Sequence, residues 1–435
     1  MKLDASLRFE RYLESTRMLT LVEKRIPLAS QTFSKSRTQY PPKISPLFVS
    51  HSLGYKTWDI DGNEYVDLVS SLAAVTMGYG NPEINRAVIE QLEFGVTLSL
   101  PSLLEYEVAE LIGELVPSAE KIRFAKTGSD ATAGAIRLAR AFTKRDHVIF
   151  GGYHGWQDWY IGSTSMHLGV PESVQRLSHP FVMNNIESFE GLIAQFKDDV
   201  AAVILEPISY VSPTKEFLEY VRKRTTELEI VLIFDETVTG FRIAPGGAQE
   251  FLGIVPDLTT FGKGIANGFP LSVLCGRADI MNLMDRIFFS GTFGGELLSL
   301  AAAKVVLTKI RDERVTETLA SNGEKLNSSV NEVLQNLKFQ GLKLSGHPSW
   351  QFLIWDNEKF KDLPKAKTLF MQEMFFEGVL ILGSHNTTLA HDEIAIQKIA
   401  EAYFNALSKV QRAENEDSYS DNLFVEPLKP LFKVR

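Results

Sequence analysis

Apolar and polar residues alternate along this chain with more than one period. Leu7, Tyr12, Leu19 and Val22 recur among charges within the first thirty residues, which predicts an amphipathic helix. The polar, proline-containing stretch 34–46 reads as an extended arm. Residues 54–67 resemble two short strands around Asp61-Gly62, a pair suited to a tight hairpin turn. From about residue 75 to 300 short β-branched runs alternate with helical stretches. Residues 147–150, 201–205, 230–234 and 271–275 predict strands, and 131–143 and 215–228 predict helices. Such alternation implies crossover units, hence an α/β fold with a mostly parallel central sheet and helices on both faces. The runs 202–205 and 231–234 are apolar throughout, as in strands covered on both faces.

After Leu297 a long helical run begins. Residues 338–382 mix short strands with a helix, which suggests a small α+β domain. Residues 412–421 are acidic and polar and read as a linker, and 423–435 carry apolar residues that can dock back. The pattern divides the chain into residues 1–75 (helix, arm and hairpin), 76–300 (a large ligand-binding domain), 301–411 (a small α+β domain) and 412–435 (linker and tail).

Composition narrows the class. The 435 residues carry 45 Lys+Arg against 54 Asp+Glu, a net charge of −9, which argues against a main role on nucleic acid. With 44% hydrophobic and 23% charged residues the chain is expected to be globular. No apolar run approaches a membrane span, and the charged N-terminal region does not read as a secretory signal. Cys275 is the single cysteine, so neither an internal disulfide nor a cysteine-based metal site is expected. These features suit a cytoplasmic enzyme with no membrane or nucleic-acid partner.

Ligands of open α/β sheets bind beyond the carboxyl ends of the strands. Asp235 and Glu236 follow one predicted strand, where a carboxylate could keep a pyridine nitrogen protonated. Lys263 lies between Gly262 and Gly264, sterically open for Schiff-base chemistry with an aldehyde. Thr127-Gly128-Ser129-Asp130 opens a predicted helix, where free N–H groups attract an anion, although Ser129 or Asp130 could equally be an ordinary helix cap. Gly151-Gly152-Tyr153-His154-Gly155 leaves a strand, and Tyr153 could stack on a flat ring. An anion turn, a stacking aromatic, a carboxylate and an open lysine match the four handles of pyridoxal phosphate.

These residues resemble the class III aminotransferases of fold type I, in particular the glutamate-1-semialdehyde aminomutase branch, from about residue 32 to 407. The most specific stretches are 58–65, 127–131 with 135–140, 152–155, Glu206-Pro207, 235–242, 261–263 and 291–293. The resemblance implies that Lys263 carries pyridoxal 5'-phosphate covalently and shuttles protons while Asp235 pairs with the ring nitrogen. It implies that Gly128 and Ser129 bind the phosphate, Tyr153 stacks, and His154, Glu206, Thr237 and Val238 complete the cofactor pocket. Thr292 would reach the phosphate of a partner subunit, so a homodimer with shared active sites is implied.

The pattern departs from the branch where substrate is recognised. Lys35 matches the branch's carboxylate-binding arginine, and Ser384-His385-Asn386 contains no acid where the aminomutase has a glutamate. Gly294-Gly295-Glu296, the aromatic stretch 155–160 and the tail 430–435 resemble a subgroup associated with sugar or cyclitol amination. Lys35, Trp156, Glu296 and His385 are thus candidate substrate contacts. The expected reaction is ping-pong amino transfer from an amino donor to a carbonyl-bearing, sugar-like small molecule. Glutamate-1-semialdehyde 2,1-aminomutase activity is the alternative, and a non-catalytic cofactor-binding protein a more distant one.

Overall fold

Strands β1 (Val49–Leu53), β2 (Lys56–Asp59) and β3 (Glu64–Asp67) form an antiparallel meander. The β2–β3 turn is closed by Asp59, which donates its N–H to Asn63 O (3.1 Å) and accepts Asn63 N–H on Oδ1 (2.8 Å). The computed structural model describes residues 10–429, which cluster into two units. The first comprises residues 10–81 and 318–429, the second residues 82–317.

The second unit holds a seven-stranded sheet. Its strands are β4 (Lys121–Ala125), β5 (His147–Gly151), β6 (Ser178–Pro180), β7 (Val200–Leu205), β8 (Val231–Glu236), β9 (Leu258–Phe261) and β10 (Ser272–Gly276). The spatial order is β4-β10-β9-β8-β7-β5-β6. Five neighbouring strands, β9 to β6, run parallel, and β10 runs antiparallel to β9 and β4. The reversal of β10 has a covalent cause: only residues 262–271 separate it from β9, too few for a helical crossover. The sheet divides its side chains by the two-residue strand period. Ala202, Ile204, Val231 and Ile233 pack with Ala131, Ala135 and Leu138 of the helix Gly128–Thr143. Val203, Leu205, Leu232 and Phe234 pack with Phe189, Phe217 and Val221 of the helices Ile186–Phe196 and Lys215–Glu227. Each of the valine, leucine, isoleucine and phenylalanine side chains contributes about 1.5–3 kcal/mol when removed from water.

In the first unit β13 (Val379–Leu380) adds in parallel to β3, while β11 (Leu342–His347), β12 (Trp350–Trp355) and β14 (Ser384–His385) form a small antiparallel sheet. The helices Leu363–Phe376 and Glu393–Glu416 pack on one core with Leu68, Leu326 and Leu353. No helix among the described residues is long and apolar enough to cross a membrane.

Three local expectations change. The arm 34–46 is a series of tight turns, because hydroxyls close them: Ser36 Oγ donates to Phe33 O (2.8 Å) and Ser45 Oγ to Pro41 O (2.8 Å). The stretch 412–421 is no linker. The helix Glu393–Glu416 continues into it, then Tyr419–Asn422 forms a further turn, because Ala413 and Tyr419 have apolar faces to bury. Leu7 and the tail 430–435 lie outside the described residues, while Leu428 N–H donates to Thr368 Oγ1 (2.9 Å).

Candidate active site

Asp235 sits one residue before the end of β8, buried, and gathers four donors. Its Oδ1 accepts Thr237 N–H (3.1 Å), Thr237 Oγ1 (2.6 Å) and Thr260 Oγ1 (3.2 Å). Among the described residues its Oδ2 meets only His154 Nδ1, at 2.8 Å. Burial opposes the charge, but the bonds from His154 and Thr237 outweigh it, so the carboxyl is held below its ordinary range. A carboxylate oxygen offers two lone pairs, so Oδ2 retains an acceptor position for one further donor. His154 is itself buried, edge-on to Phe150 and Tyr160.

Lys263 begins a short 3-10 turn after β9 with φ +45, a conformation that costs a side chain about 1 kcal/mol or more and that clusters at functional sites. Burial lowers the amine's pKa, and Arg242 adds to this, against the opposing charges of Glu206 and Asp235. The amine is thereby biased toward its neutral, nucleophilic form.

The helix Gly128–Thr143 is capped by neither Ser129 nor Asp130 alone. Thr127 is the cap: Oγ1 accepts Asp130 N–H (3.2 Å), and Asp130 Oδ2 returns the contact to Thr127 N–H (2.9 Å). Ser129 is thus free of capping duty, and its Oγ accepts Trp156 N–H at 3.3 Å. Glycine is required at 128 because a Cβ there would stand 2.8 Å from the Thr237 methyl. The methyl of Thr237 therefore packs beside the anion turn while its hydroxyl serves Asp235, a double use that the sequence reading missed.

Tyr153 is half-exposed and held edge-on by buried Tyr160 (centroids 5.6 Å apart), whose hydroxyl donates to Gly152 O (3.1 Å). Tyr153 N–H donates to Glu206 Oε2 (3.0 Å) at the end of β7. Val238 is buried. The structure thus links Gly128, Ser129, Tyr153, His154, Glu206, Asp235, Thr237 and Lys263 into one connected set of contacts and fields. Thr260, Tyr160 and Arg242 join them. Thr260 had no local signal as a site residue, Tyr160 was visible only within the aromatic stretch 155–160, and Arg242 only as part of a motif.

The other candidates are placed differently. Thr292 is exposed in a cleft of about 710 Å³ lined by Tyr106, Lys126, Arg137 and Phe293, whose lining includes neither Lys263 nor Asp235. Glu296 caps the helix Leu297–Asp312, accepting Leu298 N–H (2.8 Å) and Ser299 Oγ (2.6 Å), and pairs with Lys126 Nζ (3.1 Å). Its carboxylate is engaged in structure rather than left open to a substrate. Trp156 is exposed.

Lys35 and His385 belong to the first unit. Lys35 Nζ donates to Ser71 Oγ (3.2 Å), within a turn, Ser70–Ala73, whose residues all have positive φ. His385 is fully buried, and its Nε2 meets Tyr403 Oη at 2.7 Å. Burial drives its pKa down to about 3, so it is a neutral ring in the core of the first unit. Its neighbour Asn386 braces the turn, with Nδ2 donating to Val69 O (2.8 Å) and its carbonyl accepting Ser70 Oγ (2.7 Å).

The aminotransferase class-III family model matches residues 39–398. A glutamate-1-semialdehyde 2,1-aminomutase of Methanosarcina acetivorans is 33% identical over 416 residues, covering 87% of this chain and 97% of that protein. A 3-aminobutyryl-CoA aminotransferase of Cloacimonas acidaminovorans is 29% identical, covering 92% of this chain and 99% of that one. The solved structure of the pyridoxal-phosphate-bound FumI protein of Sphingopyxis sp. MTA144 superposes with a TM-score of 0.85 at 28% identity, covering 91% of this chain and 96% of that one.

Proposed function

The chain belongs to the class III aminotransferases, fold type I enzymes that use pyridoxal 5'-phosphate, and we propose that it moves an amino group from a donor to a sugar-like carbonyl compound. The observation that carries the cofactor assignment is the uneven loading of Asp235, crowded on Oδ1 and open on Oδ2 beside a buried histidine. A positively charged ring N–H is the donor that such an acceptor suits.

When bound, the cofactor supplies an electron sink for a carbanion at the carbon bearing the amino group. The protein's part follows from its own groups. Asp235 stays ionised and holds a proton on the ring nitrogen. Gly128 and Ser129 present first-turn N–H groups and the Ser129 hydroxyl to the phosphate. Tyr153 offers a stacking face. Lys263 Nζ, as a neutral amine, would take the proton from the donor's carbon and return it on the acceptor.

We further propose a homodimer in which Thr292 serves the partner's phosphate. Supporting this, Leu98, Leu100, Leu103, Tyr106, Phe288 and Phe293 expose half or more of their surface. These apolar segments meet where Leu297 N–H donates to Val96 O (2.8 Å). Such a band is larger than isolated surface residues account for.

The aminomutase relatives favour the second reading, in which the nitrogen returns to the same molecule. Against it stands the segment Ser384-His385-Asn386, which carries no acid where the aminomutase branch has a glutamate. Half-reactions decide between the two. Amino donors should convert the cofactor's visible spectrum, and an external carbonyl acceptor should restore it. Turnover of glutamate-1-semialdehyde with no external donor or acceptor would establish the aminomutase instead.

A further inference from the structure

Asp235 and Glu236 end β8 side by side, and the function proposed above uses only the first. The two-residue strand period turns their side chains to opposite faces of the sheet. Glu236 is fully buried, and its carboxylate gathers four donors. Oε1 accepts Gln249 N–H (3.1 Å) and Gln249 Nε2 (3.0 Å). Oε2 accepts Thr239 Oγ1 (2.9 Å) and Ala248 N–H. Two carboxylate oxygens offer about four lone-pair positions, so the chain itself saturates Glu236. That separates it from Asp235, whose Oδ2 keeps a position for a ligand.

The four donors bracket one loop. Thr239 stands 3 residues after Glu236, Ala248 and Gln249 stand 12 and 13 after it. The carboxylate thus closes residues 236–249 into a ring. Gly240 N–H donates to Glu236 O (2.9 Å), so the first turn of the loop hangs on the same residue. Gly247 has φ +86, and a Cβ there would run into Glu236 Oε2, so only glycine lets the ring close. Gln249 ties the ring to its surroundings. Its Nε2 also donates to Thr259 Oγ1 of β9 (3.2 Å), and its Oε1 accepts Ser118 N–H (3.0 Å).

The ring carries a residue on which the site depends. Thr237 gives both its N–H (3.1 Å) and its hydroxyl (2.6 Å) to Asp235 Oδ1, two of the four donors that Asp235 has. Its methyl packs between Gly128 and Gly262, since a Cβ on either would lie 2.8 or 3.2 Å from it. Thr237 therefore touches the carboxylate, the anion turn and the strand end before Lys263 at once.

We propose that Glu236 is a positioning residue for the amino-transfer site: by closing the 236–249 ring it holds Thr237 on Asp235 and beside the anion turn. With an amide at 236, an NH2 group would face N–H or O–H donors, and the ring would open on that side. Thr237 would then leave its place, and His154 and Thr260 alone would remain on Asp235.

This inference rests on Asp235 and Lys263 being cofactor residues, but its first test needs no cofactor. Hydrogen exchange at single amides is read by mass spectrometry on the full-length chain freed of cofactor. In the wild type Thr237 should be protected to within about tenfold of Ala248 and Gln249, since one clamp holds all three. In Glu236→Gln all three should exchange about tenfold faster or more, the scale of one lost charge-assisted bond. Exchange at wild-type Thr237 faster than that margin overturns the proposal even if no variant folds.

The second test is titration with pyridoxal phosphate, read by the visible band of the bound cofactor. Glu236→Gln and Thr237→Val, which removes the hydroxyl from Asp235, should each weaken binding about tenfold. The double variant should weaken it by no more than about thirtyfold and shift the band no further than Glu236→Gln, because both changes act at Thr237. A merely structural Glu236 would multiply the two losses to about a hundredfold, which overturns the proposal, as does Glu236→Gln that binds like wild type. Thr239→Val, which removes one neutral donor from the ring, should give the same pattern at about threefold, and replaces Glu236→Gln if that variant does not fold. Borohydride after pyridoxal phosphate should label Lys263 in the wild type. Absence of that label removes the cofactor reading and leaves the exchange test standing, whereas labelling with a hundredfold double loss removes the Glu236 proposal alone.

Discussion

Each of the two units ends a strand on a buried aspartate, and the two carry opposite electrostatic fates. Asp67 closes β3 and Asp235 nearly closes β8. Both accept the N–H two residues ahead, Val69 on Asp67 Oδ1 (2.7 Å) and Thr237 on Asp235 Oδ1 (3.1 Å). Both also take a hydroxyl, Tyr79 on Asp67 Oδ2 (2.8 Å) and Thr237 on Asp235 Oδ1 (2.6 Å). Yet burial wins at Asp67 and raises its pKa, while at Asp235 the bonded partners win and lower it. The difference is His154, a side chain able to carry positive charge in direct contact with one carboxylate. Neutral donors satisfy a buried carboxyl, but a charge-bearing partner commits it to ionisation. Asp67 is a structural acceptor that holds the left-handed turn, and Asp235 is a carboxylate whose charge its partners maintain.

The largest effect tests the second unit outright. Lys263→Ala should lower turnover by about 1000-fold or more, the scale of a lost proton-transfer group, while circular dichroism stays native. Asp235→Asn should follow, lowering turnover by about 10–100-fold, the worth of one charge-assisted hydrogen bond. Asp67→Asn should change stability by less than about 1 kcal/mol in denaturant unfolding, since the amide keeps an acceptor for Val69 and Ser70. A loss at Asp67→Asn comparable to that at Asp235→Asn would break the comparison.

The pH dependence sharpens it, because the signs are opposite. Asp235 has a depressed folded pKa. Its stabilising share is present above the ordinary aspartate value of 3.8 and is lost as pH falls through the folded value. Asp67 has a raised folded pKa, so the folded state holds its proton longer than the unfolded chain. Stability then falls as pH rises from 3.8 toward the folded value. Relative to wild type, Asp67→Asn should therefore gain in melting temperature as pH rises above 3.8, whereas Asp235→Asn should lose as pH rises toward 3.8 and keep a constant deficit above it, read from acid melting curves.

The smallest effect concerns the turn that Asp67 holds. Ser71 has φ +51, and Ser71→Gly should relieve backbone strain and stabilise the chain by about 0.5–1 kcal/mol, read from the denaturant midpoint.

Much of this was legible before the structure. Lys263 between glycines, Asp235 at a strand end, the small-residue turn 127–130 and Tyr153 after a glycine pair all have local signatures, because each depends on the backbone around it. The buried strands were legible for the same reason, since an unbroken apolar run has only a covered place to go. Thr260 was not legible, because it acts through Asp235, 25 residues away in sequence, and a threonine does not advertise such a partner, whereas Tyr160 was visible only within the aromatic stretch 155–160. Glu296 and His385 misled because sequence supplies a functional group without its occupant, and their groups are already satisfied by a helix end and by Tyr403.

The sequence alone therefore determined the α/β alternation, the family pattern and the candidate cofactor residues, all read from local periodicity and from chemistry at element edges. Tertiary structure alone decided that Thr127 and not Ser129 caps the helix, and that the Asp235 carboxyl is held below its ordinary range where that of Asp67 is raised. Those outcomes depend on which donors and charges folding brings within about 3 Å of a buried atom, where desolvation makes each partner decisive.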